Sequence, residues 1–414
     1  MSRYKLGDIS EIQSGPFGTQ LHKDEYVSEG IPMLNSKNIG NGVIVEDSLD
    51  FVPESVCARL PRYILKEGDI LFGRAGTIER HTYVDSKYDG CFQGTNCIRI
   101  RCKNKQKSLY ISYYLWLSEL KVKIENVAGG SIQSYITTDL LKDIEIEIPD
   151  DYEKRANFFL LIDEKIRNNN QINDNLEQQL RVLYDYWFTQ FDFPDKNGRP
   201  YRSSGGKMVW NDILKRNIPN DWKVQSVISN CLSSVIKPGV EMFDTKTYLA
   251  TADVKGTSIS TGTIIDYEGR ESRANMQPSV NSVWFAKMKN SIKHLYLNKE
   301  MQSVISSSIL STGFCGLQCE ENSFEYIASY IANPYFEVHK DMLAHGATQE
   351  AVNNDDLAGV HIIIPDANIL QAYHEVTQLI YSQISKNICE NQELVKLRDW
   401  LLPMLMNGQA TIED

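Results

Sequence analysis

The sequence predicts an α+β protein in which two duplicated globular domains of mixed α/β structure are separated by two long helices that form an antiparallel coiled coil. Three observations lead to this prediction: a repeat at a fixed offset, a heptad pattern after each copy of the repeat, and one linker rich in turn-forming residues. The expected segments are a first globular domain at 1–150, a first spacer helix at 151–191, a linker at 192–219, a second globular domain at 220–366 and a second spacer helix at 367–408.

The repeat is clearest towards the end of each globular domain, where identical or similar residues stand 216 positions apart without a gap. Each copy then continues into an alternating, strand-like run that ends in a proline, at 144–149 and at 360–365. Such a repeat indicates duplication of one structural unit, here about 150 residues long. The clearest pairs are Gly130 and Gly346, Gln133 and Gln349, Ile136 and Val352, Asp139 and Asp355, and Leu141 and Leu357.

The residues after each copy follow a heptad pattern, with seam positions at alternating intervals of four and three residues. Each seam contains two asparagines, which can satisfy one another if the helices run antiparallel and would fix their register at a cost in stability. The alternative is two independent surface helices with exposed asparagines. Arg398 interrupts the second seam, and we expect Leu397 to fill the gap. The seam positions are Ile162, Ile166, Asn169, Asn173, Leu176, Leu180, Leu183 and Trp187 in the first helix and Ile380, Ile384, Asn387, Asn391, Leu394 and Leu401 in the second.

The net charge of −11 is unfavourable for a protein that binds duplex DNA by itself, because DNA-binding surfaces are basic. The eight cysteines form no Cys-x-x-Cys pair, which indicates reduced thiols in a cytoplasmic protein without a metal site. No apolar run of roughly 18 residues and no signal-peptide pattern is found, so no membrane association is expected. Positive charge is nevertheless clustered locally, at Arg59, Arg62, Arg74 and Arg80, at Arg99, Arg101, Lys103, Lys105 and Lys107, and at Arg270, Arg273, Lys287, Lys289 and Lys293.

The order of globular domain, long helix, globular domain and long helix resembles the specificity subunit of type I restriction–modification systems over nearly the whole chain. The linker is the most specific part of the resemblance, and the other motifs gain weight from their order and duplication. The motifs are SGPFGTQL at 14–21, KEGDIL at 66–71, FDFP at 191–194, SGGKMVW at 204–210 with Ile218, Pro219 and Trp222 after it, and GATQ at 346–349.

The resemblance implies that each globular domain is a target recognition domain, similar to the DNA-reading domains of adenine methyltransferases. It also implies two modification subunits, which are adenine methyltransferases that hold S-adenosylmethionine and dock on the coiled coil. Restriction subunits, which hydrolyse ATP and cut double-stranded DNA, would join the larger complex, and no cofactor is expected on this chain. A helix over about 153–190 spans roughly 55 Å, whereas one turn of B-DNA spans about 34 Å. We therefore expect a target in two halves separated by an unread gap.

Candidate DNA contacts are polar residues in loops, because base edges are read by hydrogen bonds and phosphates are bound by Lys and Arg. Glycines beside several of them allow the backbone to approach the duplex closely. Arg270 and Arg273 are expected to bind phosphates. Gln133 and Gln349 are common to both domains, so we expect them to contact the DNA backbone or to hold the fold. The candidates are Arg74, Thr77, Arg80, Gln93, Asn96, Ser131 and Gln133 in the first domain, and Arg270, Arg273, Lys289, Lys293, Thr348 and Gln349 in the second.

Other classes of protein remain open. The run Asn333-Pro334-Tyr335-Phe336 lacks the second proline of the Asn-Pro-Pro-Tyr motif of amino-methyltransferases, and no glycine-rich cofactor or nucleotide loop is found, so we expect no catalytic residue. A coiled-coil scaffold that binds proteins would suit the net charge better, but it would not account for the duplicated domains or the linker. A specificity subunit of a related phage-defence system, whose partner methylates DNA without cutting it, fits the sequence equally well.

Overall fold

The computed structural model describes residues 2–74, 80–117, 120, 136–346 and 350–413. The chain divides into two compact units. The first consists of Met1–Asp163 with Leu397–Asp414, and the second of Glu164–Lys396. Because each unit combines a globular domain with parts of both long helices, the five segment boundaries expected from the sequence stay a prediction.

The strands of the first unit are β1 (Ser2–Lys5), β2 (Ser10–Ser14), β3 (Ile31–Leu34), β4 (Asp50–Val52), β5 (Asp69–Gly73), β6 (His81–Tyr83), β7 (Phe92–Gln93), β8 (Cys97–Cys102) and β9 (Glu145–Ile148). They form a four-stranded antiparallel sheet in the order β2-β8-β5-β6, a sheet in the order β4-β3-β7, and the antiparallel pair β1-β9. β3 and β7 are parallel. In β9 the isoleucines are buried and the first glutamate is exposed, as its period of two predicts.

The first strands of the second unit form the hairpin β10 (Met208–Asn211) and β11 (Arg216–Pro219). Its sheets have the orders β13-β22-β19-β20 and β17-β14-β21-β18, with the further pairs β12-β23 and β15-β16. The remaining strands are β12 (Lys223–Ser226), β13 (Ser233–Val235), β14 (Lys246–Leu249), β15 (Val254–Lys255), β16 (Ser258–Ile259), β17 (Thr263–Ile265), β18 (Ala274–Met276), β19 (Ser282–Ala286), β20 (His294–Leu297), β21 (Ser308–Ser311), β22 (Phe314–Cys319) and β23 (His361–Ile364).

The two globular domains share one strand order, which confirms the duplication. The order β2-β8-β5-β6 in the first corresponds to β13-β22-β19-β20 in the second, and the pair β1-β9 corresponds to β12-β23. The parallel pair β3-β7 has its counterpart in the parallel pair β14-β21. The second domain adds β18 beside β21. The fold class predicted from the sequence is therefore confirmed, and the domains differ mainly in the elements added to a common core.

The helices are α1 (Leu6–Ile9), α2 (Glu54–Arg59), α3 (Lys105–Tyr114), α4 (Thr138–Lys142), α5 (Tyr152–Tyr184), α6 (Gln302–Ser307), α7 (Phe324–Ala332), α8 (Pro334–Leu343) and α9 (Ala367–Met406). A π-helical segment, Asp185–Thr189, continues α5. No helix in the part of the chain that the structure describes is long and apolar enough to cross a membrane. The large buried side chains Trp284, Phe285 and Phe314 lie in the core of the second unit, where β19 and β22 meet.

Within the second unit, α5 and α9 pack against each other in antiparallel orientation. Asn387 Nδ2 donates to Asn173 Oδ1 at 2.8 Å, and Asn169 Nδ2 donates to Asn391 Oδ1 at 2.9 Å. Residue numbers rise along one helix as they fall along the other, so the predicted antiparallel pairing of the asparagines is confirmed. Asn169, Asn173 and Asn387 are buried, which excludes independent helices with exposed asparagines.

The other predicted seam residues lie on the buried side of the helices, as a heptad pattern requires. Trp187 falls in the π-helical segment, and its ring packs on Tyr373 of α9 with centroids 5.5 Å apart. Ile162, Leu180, Trp187 and Ile384 are buried, and Ile166, Leu176, Leu183, Ile380, Leu394 and Leu401 are half-buried.

At Arg398 an ion pair takes the place of an apolar seam contact. Arg398 Nη1 lies 2.9 Å from Asp163 Oδ1 within the first unit. The side chain of Leu397 is 42% exposed, so the expectation that it fills the gap is wrong. One residue corresponds to a rotation of about 100° around a helix, and this rotation turns Leu397 away from the position that Arg398 occupies.

Candidate nucleic-acid interface

Loops of the first unit converge where β2, β3 and β7 end. Gly15 N donates to Cys97 O at 2.8 Å, and Gly94 N donates to Leu34 O at 2.9 Å. The approach is so close that a Cβ at Gly15 would stand 2.0 Å from the carbonyl oxygen of Gly94. Only glycine fits at this crossing. The close contact between Gly15 and Gly94 therefore holds together the loops that follow three strands at one end of the domain.

Arg74 joins this cluster directly after β5. Its backbone N donates to Asn96 O at 2.9 Å, and its carbonyl accepts from Ile136 N at 3.2 Å. The guanidinium carbon lies 5.6 Å from the ring centroid of the exposed Phe17, within range of a cation–π contact. Asn96 is exposed, and so is Arg80, whose carbonyl accepts from Gly73 N at 3.4 Å. The structure thus brings together Arg74, Arg80 and Asn96 from the sequence-predicted contacts.

Gln93 does not belong to this surface. Its side chain is fully buried, and Nε2 donates to Gln13 O at 3.0 Å and to Cys97 O at 3.2 Å. These bonds connect β7 to the neighbouring strands, so the amide serves the fold. The predicted DNA contact at Gln93 is contradicted by its burial.

Five predicted contacts lie outside the residues that the structure describes, so their positions are not compared. They are Thr77, Ser131, Gln133, Thr348 and Gln349.

The second unit has an equivalent loop after β19. Lys287 N donates to Gly313 O at 2.9 Å, and its carbonyl accepts from Val352 N at 3.0 Å. These bonds repeat those of Arg74, with Val352 in the place of its sequence repeat Ile136. Lys287, half-buried, is therefore the structural equivalent of Arg74, although the sequence placed it only in a basic cluster and not among the predicted contacts.

Two predicted lysines of this loop have ammonium groups that are already bound within the domain. Lys289 Nζ lies 2.7 Å from Glu350 Oε2 at the surface. Lys293 Nζ donates to the carbonyl of Thr251. The carbonyl of Lys293 accepts from Ala286 N at 3.0 Å, as that of Arg80 accepts from Gly73 N at 3.4 Å. Lys293 is thus the equivalent of Arg80.

Of the two predicted phosphate-binding arginines, Arg273 lies near this loop, whereas Arg270 contacts Tyr267. Arg273 is exposed, and its carbonyl accepts from Thr312 N at 2.8 Å, next to Gly313. Arg270 stacks on Tyr267, with the guanidinium carbon 3.8 Å from the ring centroid, and also donates to its carbonyl. Stacking restricts the guanidinium to one plane, so less conformational freedom is lost when it binds an anion.

The chemistry available at these loops is that of binding. Lysine and arginine bind phosphates or the O6 and N7 acceptors of guanine, and an exposed amide such as Asn96 can pair with a base edge. Burial raises the pKa of the Cys91 and Cys102 thiols to about 11, so both are protonated at neutral pH. Among the described residues, no group of three or more His, Cys, Asp and Glu side chains could hold a metal ion.

Comparisons with known proteins agree with this architecture. Residues 1–178 match the family described as the type I restriction modification DNA specificity domain. The chain is 23% identical to the type I restriction enzyme MjaIX specificity subunit of Methanocaldococcus jannaschii, over 99% of this chain and 93% of the relative. It is 21% identical to the HindI specificity subunit of Haemophilus influenzae, over 98% of each. The crystal structure of the type I restriction-modification system S subunit from M. genitalium has the same fold, with a TM-score of 0.52 at 12% identity over 98% of this chain and 95% of that one.

Proposed function

We propose that this chain, which resembles type I restriction enzyme specificity subunits over nearly its whole length and matches their DNA specificity domain at residues 1–178, reads the DNA target of such a system and leaves the chemistry to its partners. The observation that carries this proposal is the pair of equivalent loop clusters, one around Arg74 and one around Lys287. Both stand at the same end of the same sheet order, so each domain presents one reading surface. Two diverged surfaces of one kind suit a target made of two different half-sites.

The net charge of −11 bears on which subunits bind the phosphates of the DNA. Duplex affinity depends on neutralising phosphates with Lys and Arg, and the reading loops of this chain offer few unengaged cations. We infer that partner subunits supply much of the phosphate contact. The partners proposed are two adenine methyltransferase subunits and, for cleavage, restriction subunits. S-adenosylmethionine and ATP would be held by those subunits, and the complex would act on double-stranded DNA in the cytoplasm.

The long helices carry exposed apolar side chains that suit partner docking. In the second unit, Val182 and Leu379 are 70% and 75% exposed. Val182 and Ile380 also line a surface groove of about 730 Å³. Exposed apolar side chains beside a groove are typical of a protein–protein interaction site.

The same pattern recurs in the first unit. Leu161 and Trp400 are 65% and 60% exposed. Leu379 lies 218 positions after Leu161, and Trp400 lies 218 positions after Val182. The same offset relates the two heptad seams, as in Ile162 and Ile380. Each unit thus has one copy of an apolar helical surface, and we assign one methyltransferase subunit to each copy.

Replacing one exposed leucine in each surface should remove one partner at a time. Leu379→Asp is expected to weaken binding of one methyltransferase copy by about tenfold or more, since the interface would bury an unpaired charge. Leu161→Asp should do the same to the other copy. The mass of the assembly, measured by light scattering after mixing with the methyltransferase, should fall from two bound copies to one.

The matched control is Ile264→Asp, which changes another exposed apolar residue of the second unit but lies on β17. It should retain both copies. Thermal unfolding of the isolated variants should be unchanged, because the replaced side chains are exposed. Loss of both copies from either single leucine variant would refute the assignment of one surface to each.

The proposed function is tested by mapping methyladenine in the DNA of cells that express the methyltransferase with and without this chain. A split methylated sequence present only with this chain is expected. If the methyltransferase is expressed and the methylation pattern does not change, the chain is better explained as a coiled-coil scaffold, which its acidic charge would suit. Methylation without cleavage would place it in a defence system whose partner does not cut.

A further inference from the structure

One buried lysine donates hydrogen bonds to the backbone at both ends of the reading loop of the second domain, residues 287–293. Lys340, near the end of α8, is 0% exposed. Its Nζ donates to the carbonyl of Ala286 at 3.3 Å and to that of Ser291 at 3.5 Å. These carbonyls stand immediately before Lys287 and four residues later. A single ammonium group therefore connects both ends of the turn that carries Lys287 and Lys289.

The neighbouring residue of α8 binds the middle of the same turn. Asp341 Oδ2 accepts from Asn290 N at 3.2 Å. Asn290 has a φ of 55°, in the left-handed region that asparagine tolerates better than most residues. Lys340 and Asp341 thus make two contacts to the backbone of the loop and one to the last residue of β19, and these contacts restrict the loop backbone.

A buried ammonium needs negative charge nearby, and the structure provides it. Lys340 Nζ lies 2.6 Å from Glu337 Oε2 and 3.6 Å from Asp341 Oδ1. Glu337 Oε1 lies 2.8 Å from His294 Nε2, and the other ring nitrogen of His294 lies 3.1 Å from the hydroxyl of Tyr296. Burial opposes ionisation of Glu337, but hydrogen bonds from His294 and Lys340 outweigh it and hold its pKa below the usual value.

We propose that Lys340 is a positioning residue for recognition of the second half-site, acting through the 287–293 loop. This inference rests on the proposed function, because it assumes that the loop reads DNA. A lysine that only stabilised the core would be expected to bond with core groups. Lys340 instead directs one donor to the carbonyl of Ala286, where β19 ends and the loop begins, and one to the carbonyl of Ser291 within the loop. A buried charge is costly enough that an apolar residue would serve packing better.

The test is Lys340→Met, which keeps an unbranched side chain of similar length and removes the ammonium group. A second variant, Lys340→Met with Glu337→Gln, removes both charges, so the carboxylate is not left without its lysine. Each is assembled with the methyltransferase and titrated with duplexes that carry one base change in either half-site. The matched control is Lys299→Met, an exposed lysine of the same unit.

In both variants, discrimination against base changes in the second half-site should fall by about tenfold, within the range that one base contact provides. Discrimination at the first half-site should not change, and this half-site serves as an internal control for folding and assembly. Unchanged discrimination at the second half-site would overturn the inference, and so would equal losses at both. If the wild-type complex discriminated at neither half-site, the proposed function itself would fail.

Discussion

Arg74→Ala is expected to relax recognition of one half of the DNA target and leave the other half intact, whereas Lys287→Ala should do the converse. Both residues are held by the same two backbone hydrogen bonds at the end of equivalent strands, so their side chains leave the domains at equivalent points. A lost base contact lowers discrimination at that position by about tenfold, within the usual range of about 1–3 kcal/mol. Binding of the assembled complex to duplexes altered at single positions measures the effect.

The readout also separates base contacts from phosphate contacts. A side chain that binds only phosphate weakens binding to every duplex and lowers the salt dependence of affinity, without changing which bases are preferred. Arg59→Ala and Lys299→Ala, at exposed positions outside the loops, serve as controls for the two units. Equal weakening for all duplexes would contradict the assignment of Arg74 and Lys287 to base reading.

The buried asparagine pair of the coiled coil should show opposite effects in single and double variants. Asn173→Leu leaves Asn387 Nδ2 buried without its partner and is expected to lower the free energy of unfolding by about 1–3 kcal/mol. Replacing both asparagines with leucine removes the desolvated amides together. The free energy of unfolding of the double variant should therefore be about 1–2 kcal/mol higher than that of the wild type. Chemical denaturation of the three proteins measures both differences.

The double variant should also assemble less specifically, because a polar pair at seam positions favours one register over others. Light scattering is expected to detect oligomers that the wild-type chain does not form. Leu176, a half-buried apolar seam residue, provides the control: Leu176→Ala should lower stability without changing assembly. A double variant that is less stable and assembles like the wild type would show that the pair contributes stability alone.

Periodicity made the helices predictable. A heptad pattern determines which side of a helix is buried, so the sequence alone identified the asparagines that bond across the seam, Asn169, Asn173, Asn387 and Asn391. It did not reveal that Asp163 would pair with Arg398, because a salt bridge across the seam depends on the register of the second helix.

The loops were less predictable, because their structure depends on tertiary contacts. Gln93 has the polar character and glycine neighbour of a surface contact, yet the sheet encloses it completely. The sequence does not identify Lys287 as a contact, because the offset between the domains changes from 216 at the end of each domain to 213 at this loop. Repeated hydrogen bonds, and not sequence spacing, identify it as the equivalent of Arg74.

The central claim is that each globular domain reads its own half of the target, and exchange of one domain tests it most directly. Residues 1–150 are replaced by the matching domain of a relative with a different target, and the methylated sequence is then determined in cells that express the methyltransferase. We predict that one half of the methylated sequence changes to that of the relative, while the other half is retained. A methylated sequence unchanged in both halves would contradict the account.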